Sequence, residues 1–291
     1  MAKPGKILVT GANGQLGRDL MDVLGPAHEV VGVDIDRLDI RDGRAVDAFM
    51  QEVKPNTVIH AAAYTDVDGC EKDHETAFAV NSDGTRHVAR ACREFGARLI
   101  HISTDYVFDG EKDKAYHEDD PTHPKTVYGM SKLAGEKAVW EEVEDFVILR
   151  VAWLYGRQGK NFVRTMLKLA QDQISKVAEG QVVEPLKVVN DQYGNPTWTM
   201  EVVRQIEVLL GNDLRGVCHA TNQGEATWYT FACDIFEKMN LKVFVRPCTT
   251  EEFPRPAPRP RRSSLDNTRL RSAGIDVMRP YKDALQDFLK G

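Results

Sequence analysis

The chain has 291 residues, of which 42% are hydrophobic and 28% are charged, with a formal net charge of −6 and a sequence pI near 5.8. This composition excludes disordered, collagen-like and coiled-coil proteins, and the acidic balance is opposite to that of proteins that bind bulk nucleic acid. A chain of this length can bury one large core or two coupled ones. We therefore expect a soluble globular protein with no nucleic-acid partner.

Cysteine spacing and hydropathy exclude further classes. The five cysteines are widely spaced and form no C-x-x-C pair, which excludes a disulfide framework and a zinc site. No stretch approaches the roughly 18 apolar residues of a membrane helix, and the first residues lack the apolar run of a signal peptide. The expected location is the cytoplasm, with no membrane partner.

Short apolar strands alternate with amphipathic helices in the first half of the chain. The predicted strands are residues 6–10, 29–33, 57–60, 98–103 and 146–150, and the predicted helices are 15–24, 44–54, 75–95 and 127–143. This alternation predicts an α/β fold, a doubly wound parallel Rossmann sheet covered on both faces. Such a sheet binds its ligands beyond the carboxyl ends of its strands.

The second half breaks this alternation. It predicts helices at 161–171, 199–210 and 281–289, a short strand at 187–189 and an irregular Pro/Arg-rich segment at 254–262. We expect an NAD(P)-binding domain formed by residues 1–158 together with parts of 191–220. Residues 159–291 would form a smaller, interleaved α/β substrate domain, in which residues 172–186 are interpreted as a surface excursion.

A glycine-rich turn follows the first predicted strand. Gly11, Gly14 and Gly17 permit a tight turn and close approach of a pyrophosphate to a helix N-terminus. Asp34 ends the second strand twenty residues after Gly14, where a carboxylate can accept the ribose hydroxyls of NAD. Glycines also serve plain turns, but the strand, helix and acid together predict a dinucleotide site.

The choice between NADH and NADPH stays open at this point. Asp34 would repel the 2′-phosphate of NADP, whereas the positive charges of Arg18 and Arg37, close in sequence, could offset that repulsion. The cofactor is therefore predicted as NADPH or NADH.

A tyrosine and a lysine lie one helical turn apart. Tyr128 and Lys132 share one face of the predicted helix, and a nearby ammonium is expected to lower the pKa of the phenol. Thr104 follows the fourth predicted strand and could donate a hydrogen bond to a carbonyl. A Y-x-x-x-K pattern alone is common on surfaces, but behind a dinucleotide-binding turn it favours hydride transfer to a carbonyl.

The chain resembles the extended short-chain dehydrogenase/reductase superfamily and, within it, the dTDP-4-dehydrorhamnose reductase family. The resemblance runs nearly end to end, and its motifs are TGANGQLG (10–17), LDI (38–40), HAAAYTDVD (60–68), STDYVFDG (103–110), YGMSKLAGE (128–136), RVAWLYG (150–156), DQYGNPT (191–197), RP (259–260) and SLD (264–266). STDYVF and DQxGxPT discriminate the family, because the glycine turn and the Tyr/Lys pair indicate only the superfamily.

The resemblance implies roles at matched positions. Thr104, Tyr128 and Lys132 would be catalytic. The implied cofactor-binding residues are Gly11, Asn13, Gly14, Gln15, Leu16, Gly17, Asp34, Asp39, Ile40, Ala61, Ala62, Ala63, Tyr128 and Lys132. The implied substrate-binding residues are Thr65, Val67, Thr104, Tyr106, Tyr128 and Trp153, although Trp153 could equally be core packing.

The implied reaction is NAD(P)H-dependent reduction of the C4 ketone of dTDP-4-dehydro-β-L-rhamnose, the last step of dTDP-L-rhamnose synthesis. A reductase or epimerase of another nucleotide-linked 4-ketosugar is the alternative within enzymes, since nothing in the sequence favours thymine over uracil. A protein similar to this family is a non-catalytic regulatory subunit of methionine adenosyltransferase. Thr104, Tyr128 and Lys132 are all present, which favours catalysis.

Two further features concern anions and metals. The late arginines are interpreted as diphosphate contacts, salt bridges or solvated charge: Arg255, Arg259, Arg261, Arg262, Arg269 and Arg271. The acidic cluster of Asp66, Asp68, Glu71 and Asp73 is interpreted as helix-capping charge.

Some members of the family hold magnesium between carboxylates at a dimer interface. This chain has Gln15 in the turn and Asn190-Asp191 before Gln192, a weaker set of ligands for a hard cation. We predict no magnesium requirement and no metal site. The oligomeric state is left open, with a homodimer among the alternatives.

Overall fold

The computed structural model describes residues 5–291, and residues 1–4 lie outside the described part. The strands are β1 (Ile7–Thr10), β2 (Val30–Val33), β3 (Thr57–His60), β4 (Arg98–Thr104), β5 (Phe146–Val151), β6 (Leu154–Tyr155), β7 (Leu186–Val189), β8 (Tyr193–Gly194), β9 (Thr197–Trp198), β10 (Gly216–His219), β11 (Ala226–Thr227) and β12 (Val245–Cys248). The helices are α1 (Gln15–Leu24), α2 (Gly43–Val53), α3 (Val67–Cys70), α4 (His74–Phe78), α5 (Thr85–Phe95), α6 (Val127–Glu142), α7 (Phe162–Ala178), α8 (Thr199–Leu210), α9 (Trp228–Lys238), α10 (Thr268–Ser272) and α11 (Tyr281–Lys290). A π-helical segment covers Ala79–Gly84, and a 3₁₀ turn covers Asp105–Val107.

Six strands form one parallel sheet in the order β10-β5-β4-β3-β1-β2. The chain adds β2 on one side of β1 and then reverses to add β3 on the other, which makes the β1–β3 junction the switch point where ligands bind. The predicted doubly wound α/β fold is confirmed. β10 was not predicted as a strand, yet it completes the sheet beside β5.

Helices cover both faces of this sheet, which explains why its strands are apolar throughout. One face packs against α2, α5 and α6 around side chains such as Phe49 and Val88. The other packs against α1 and α8 around Leu20 and Ile206. Both layers leave the carboxyl ends of the strands open.

Three short strand pairs and three helices form the region beside the carboxyl ends. The pairs are β6 with β9, β7 with β12, and β8 with β11. Helices α7, α9 and α11 contribute to one apolar cluster that includes Tyr155 and Phe231. The domain division near residue 158 stays a prediction.

One predicted helix has an internal irregularity, and one predicted boundary was wrong. The helix predicted at 75–95 runs from His74, after the Asp73 cap, to Phe95, but it widens into π turns at Ala79–Gly84 between α4 and α5. The helix at 161–171 runs on to Ala178, so part of the segment 172–186 is helical. Buried Gln173 holds that extension in place by accepting from the Phe244 amide at 2.7 Å.

Within residues 5–291, no helix combines the length and the apolar composition needed to cross a membrane. Segment 254–262 contains neither helix nor strand, as its prolines predict.

Candidate active site

The glycine turn fits a pyrophosphate because its glycines leave no room for side chains. Gly11 adopts φ +72°, and a Cβ there would lie 2.6 Å from the Ala62 backbone nitrogen. A Cβ on Gly17 would lie 2.1 Å from the Gly11 carbonyl oxygen. Together they bring the turn against β3 and aim the N-terminus of α1 at the open space beyond the sheet.

The Asp34 carboxylate contacts the backbone of the glycine turn. Its Oδ2 accepts from the Asn13 amide at 2.8 Å, and its Oδ1 accepts from the Ile35 amide at 2.8 Å. Each carboxylate oxygen retains further acceptor capacity for a hydroxyl. Arg18 lies nearby, since its Nε donates to the Asn13 carbonyl at 3.0 Å.

The tyrosine and lysine lie in the first turns of α6. Thr126 caps this helix by accepting from the Gly129 amide at 3.0 Å, which directs Tyr128 and Lys132 toward the carboxyl end of β4. Lys132 Nζ donates to the Ile102 carbonyl at 2.8 Å. Thr104 is the last residue of β4, so the structure brings all three predicted catalytic residues to one place.

Burial controls the protonation of these side chains. It raises the pKa of the Tyr128 phenol well above its usual range, although the Thr104 hydroxyl acts in the opposite direction. It lowers the pKa of Lys132 to about 8, while the Glu136 carboxylate acts to raise it. The prediction that Lys132 lowers the pKa of the Tyr128 phenol was wrong for the protein without bound cofactor. Desolvation of the phenol raises its pKa, and the contact that acts to lower it is the hydrogen bond with Thr104.

A row of polar side chains crosses the buried sheet beside Lys132. Thr10 Oγ1 and His60 Nδ1 are 2.7 Å apart, and the His60 and His101 rings stack with centroids 5.2 Å apart. Lys132 Nζ lies 3.5 Å from His101 Nε2, which must be an acceptor because an ammonium only donates. Burial lowers the pKa of His60 to about 3 and that of His101 well below its usual value, so both rings are neutral.

Asn81, which the sequence argument missed, ties the site together from the π segment. Its Nδ2 donates to the Tyr64 carbonyl and to Ser131 Oγ, both at 3.0 Å, and its Oδ1 accepts from the Tyr64 amide at 2.8 Å. Ser131 Oγ donates to the Tyr128 carbonyl at 2.8 Å. Asn81 therefore fixes the loop after β3 relative to α6, a role that no local pattern could indicate.

One cavity of about 930 Å³ joins these elements. Every residue implied by the resemblance lines it: Gly11, Asn13, Gly14, Gln15, Leu16, Gly17, Asp34, Asp39, Ile40, Ala61, Ala62, Ala63, Thr65, Val67, Thr104, Tyr106, Tyr128, Lys132 and Trp153. The cavity is long enough to bring the glycine turn and the Thr104–Tyr128 pair into one space.

Trp153 lines the cavity and also packs against the apolar cluster that includes Phe108. Its backbone has φ 47°, and its ring stacks on that of Trp228 with centroids 3.5 Å apart. Trp228 and Lys160 also line the cavity, and neither residue was predicted from the sequence.

The late arginines lie outside this cavity, and ion pairs or carbonyl contacts hold most of them. Arg255 Nη2 and Arg259 Nη2 donate to Asp68 at 2.5 and 2.9 Å. Arg262 pairs with Glu225, and Arg269 donates to the Val217 carbonyl. The salt-bridge interpretation describes these contacts, and a diphosphate contact stays a prediction.

The acidic cluster has mixed roles. Asp66 and Asp73 cap α3 and α4, as predicted, and Glu71 accepts from the Val127 amide at 2.9 Å. Asp68 instead anchors segment 254–262 through the arginines.

Among residues 5–291, no group of three or more His, Cys, Asp or Glu side chains could hold a metal ion. Gln15 accepts from Asn161 Nδ2 at 3.0 Å, and the prediction of no magnesium requirement remains a prediction.

Comparison with known proteins gives the family. A family model described as the RmlD substrate binding domain matches residues 5–291. A protein from Streptomyces griseus named dTDP-4-dehydrorhamnose reductase is 42% identical over 96% of this chain and 91% of its own. A protein from Streptomyces niveus named dTDP-4-keto-6-deoxy-D-glucose reductase is 40% identical over 96% of this chain and 94% of its own.

A solved structure agrees with the family model and with these relatives. The dTDP-4-dehydrorhamnose reductase from Bacillus anthracis, in complex with NADP, has a TM-score of 0.93 and 39% identity, and the match covers 98% of this chain and 99% of that one. The resemblance stated from the sequence motifs is confirmed. This chain belongs to the RmlD family of dTDP-4-dehydrorhamnose reductases, which are NADP-dependent oxidoreductases.

Proposed function

We propose that this enzyme reduces the C4 ketone of dTDP-4-dehydro-β-L-rhamnose to give dTDP-β-L-rhamnose, with NADPH or NADH as the reductant. The observation that supports this most is that Thr104, Tyr128 and Lys132 line the same cavity as the glycine turn. A reductase needs a proton donor beside a dinucleotide, and this cavity supplies both.

The side chains divide the work of carbonyl reduction. When bound, the reduced nicotinamide supplies the hydride that the C4 carbon accepts. The Tyr128 phenol, kept protonated by burial, donates its proton to the C4 oxygen. Thr104 donates a hydrogen bond to the same oxygen and lowers the pKa of the phenol, and the Lys132 ammonium would hold the nicotinamide ribose.

The cofactor site would use the turn and the ends of three strands. Backbone amides at the N-terminus of α1 would hold the pyrophosphate, and Asp34 would accept from the adenosine ribose. Asp39 and Ile40 would flank the adenine, and Ala61, Ala62 and Ala63 would line the middle of the cofactor. The Bacillus anthracis relative binds NADP, which supports tolerance of a 2′-phosphate in this family.

The sugar site would lie on the opposite side of the catalytic residues. Thr65, Val67, Tyr106 and Trp153 line this part of the cavity and present a hydroxyl, an aliphatic face and two aromatic rings. Aromatic and aliphatic faces suit the 6-deoxy edge of a rhamnose-type sugar, because that edge carries a methyl group instead of a hydroxyl.

A second candidate is the reduction of a different dTDP-linked 4-ketosugar. The Streptomyces niveus relative, named as a reductase of dTDP-4-keto-6-deoxy-D-glucose, supports it at 40% identity. The two sugars differ in ring configuration, and the epimerase that acts before the reductase changes that configuration. Whether turnover requires the epimerase therefore distinguishes the two substrates.

The test follows the oxidation of NADPH and NADH by absorbance, with the ketosugar generated from dTDP-glucose by a dehydratase, with or without the epimerase. Turnover that requires the epimerase supports the rhamnose reaction. Equal turnover without it supports the second candidate, and no turnover with either would contradict both. A cytoplasmic location remains a prediction from the sequence, and a homodimer remains one of the alternatives left open.

A further inference from the structure

The carboxyl group of Asp105 contacts the hydroxyl that is expected to polarise the substrate carbonyl. Thr104 Oγ1 and Asp105 Oδ1 are 2.9 Å apart, and the Tyr106 amide donates to Thr104 Oγ1 at 3.3 Å. Asp105 is 3% exposed and lines the main cavity. The family resemblance assigned no role to this side chain.

A threonine hydroxyl has one hydrogen, so it can donate to one acceptor at a time. An ionised Asp105 is only an acceptor, and it then holds the hydrogen of Thr104 away from the substrate. A protonated Asp105 can instead donate to Thr104 Oγ1, which frees the hydroxyl hydrogen to point into the cavity. The protonation state of Asp105 thus decides which way the Thr104 hydroxyl points.

The surroundings of Asp105 disfavour its charged form. Its Oδ2 has no hydrogen-bond partner among residues 5–291, and within the same residues no arginine, lysine or histidine pairs with it. The titratable groups that face it are the phenols of Tyr106, from its own turn, and Tyr128, from α6. The Ser263 hydroxyl approaches from the C-terminal segment. Burial raises the pKa of Asp105 from 3.8 to about 6, although the hydroxyls of Ser263 and Thr104 and the backbone amides of Asp105 and Tyr106 act to lower it.

We propose that Asp105 is a positioning residue, whose acid form turns the Thr104 hydroxyl toward the substrate carbonyl and whose ionised form turns it away. The proposal rests on the proposed carbonyl reduction. No proton is consumed at Asp105, since Tyr128 supplies the one that the product keeps.

The kinetic test compares wild type with Asp105→Asn, whose amide cannot ionise. The ratio of kcat for Asp105→Asn to kcat for wild type should rise about two- to tenfold from about pH 5 to about pH 8, as wild type loses one hydrogen bond to the carbonyl. In a Thr104→Val background the same ratio should not change with pH. Asp109→Asn is the matched control, since Asp109 lies outside the main cavity and binds the Tyr116 hydroxyl, and its ratio should stay flat. Parallel pH profiles for wild type and Asp105→Asn would overturn the proposal.

A second readout does not depend on turnover. Difference infrared spectra of wild type against Asp105→Asn, with NADP⁺ added, report the carbonyl stretch of the protonated Asp105 acid. The titration should be centred well above pH 3.8 and should move upward in Thr104→Val, because the hydroxyl that lowers the pKa is gone. Titration at the usual value, or one that Thr104→Val leaves unmoved, would overturn the positioning role. Failure of the reductase assay with this titration intact would instead count against the proposed reaction.

Discussion

Arg150 and Glu136 form a two-point ion pair inside the core, with Arg150 Nε 2.9 Å from Glu136 Oε1 and Nη2 2.7 Å from Oε2. The side chains are 4% and 3% exposed, and Ser103 Oγ donates to the same carboxylate at 2.5 Å. Glu136 lies one helical turn after Lys132, whose pKa its charge raises. The pair therefore attaches the catalytic helix α6 to strand β5.

Glu136→Gln should destabilise the fold strongly, because it leaves the Arg150 guanidinium buried without its counter-charge. We expect the free energy of unfolding to fall by about 3–5 kcal/mol, measured by urea denaturation at neutral pH. Glu141→Gln is the control, since its pair with Arg86 is 60% and 42% exposed and should contribute about 0–1 kcal/mol. Equal losses in the two variants would contradict this account.

Tyr128→Phe should lower kcat by about 10²–10⁴-fold, because the proton donor is lost while the shape of the cavity is kept. The Kd for the cofactor should change little and can be measured by fluorescence titration. Tyr229→Phe, outside the cavity lining, should retain wild-type turnover. If Tyr128→Phe also turned over normally, another group would be the proton donor.

The main sheet could be predicted because its strands and helices are local patterns. β1, β3 and α1 were predicted within one residue, and the glycine spacing that marks the turn reflects contacts within a few positions. Residues that line the cavity follow from the fold, because the carboxyl ends of parallel strands meet at one edge.

What could not be predicted depends on contacts distant in sequence. β10 lies beside β5 although the two are far apart in the chain, and the π segment that presents Asn81 has no reliable local signature. The pKa of Tyr128 was expected to fall through Lys132, whereas burial in the folded protein raises it. Burial is a property of the whole structure, so the spacing of Tyr128 and Lys132 alone predicted the wrong direction for the pKa shift.

Asp34→Ala should weaken the binding of NADH more than that of NADPH. It removes hydrogen bonds to the ribose hydroxyls, worth about 10- to 100-fold in NADH affinity, and it relieves repulsion of a 2′-phosphate. Both affinities should fall somewhat, because the Asn13 amide also loses its acceptor. The ratio of the two Kd values is therefore the decisive quantity. Asp36→Ala, exposed and outside the cavity, should leave that ratio unchanged, and an unchanged ratio in Asp34→Ala would show that Asp34 does not contact the ribose.

Lys132→Met should make the cofactor-free protein more stable, because burial of the Lys132 ammonium costs free energy in the folded state. The same change should abolish turnover, because catalysis needs that ammonium. The pKa of Lys132 is about 8 in the folded protein, against 10.5 for an unperturbed lysine. Between these two values the unfolded chain binds more protons than the folded one, so wild-type stability contributed by this group rises with pH across that window. Below pH 8 the full cost of burial is present.

The gain from Lys132→Met should therefore be about 1–3 kcal/mol at neutral pH and should vanish as the pH approaches 10.5. Urea denaturation of wild type and variant at several pH values measures it. Lys137→Met, on the exposed side of the same helix, is the control for replacing a lysine of α6 by methionine. A gain that is equal at all pH values would come from the added apolar side chain rather than from the buried charge. A variant that is less stable than wild type at neutral pH would show that the contacts of Nζ with the Ile102 carbonyl and His101 outweigh the cost of desolvation.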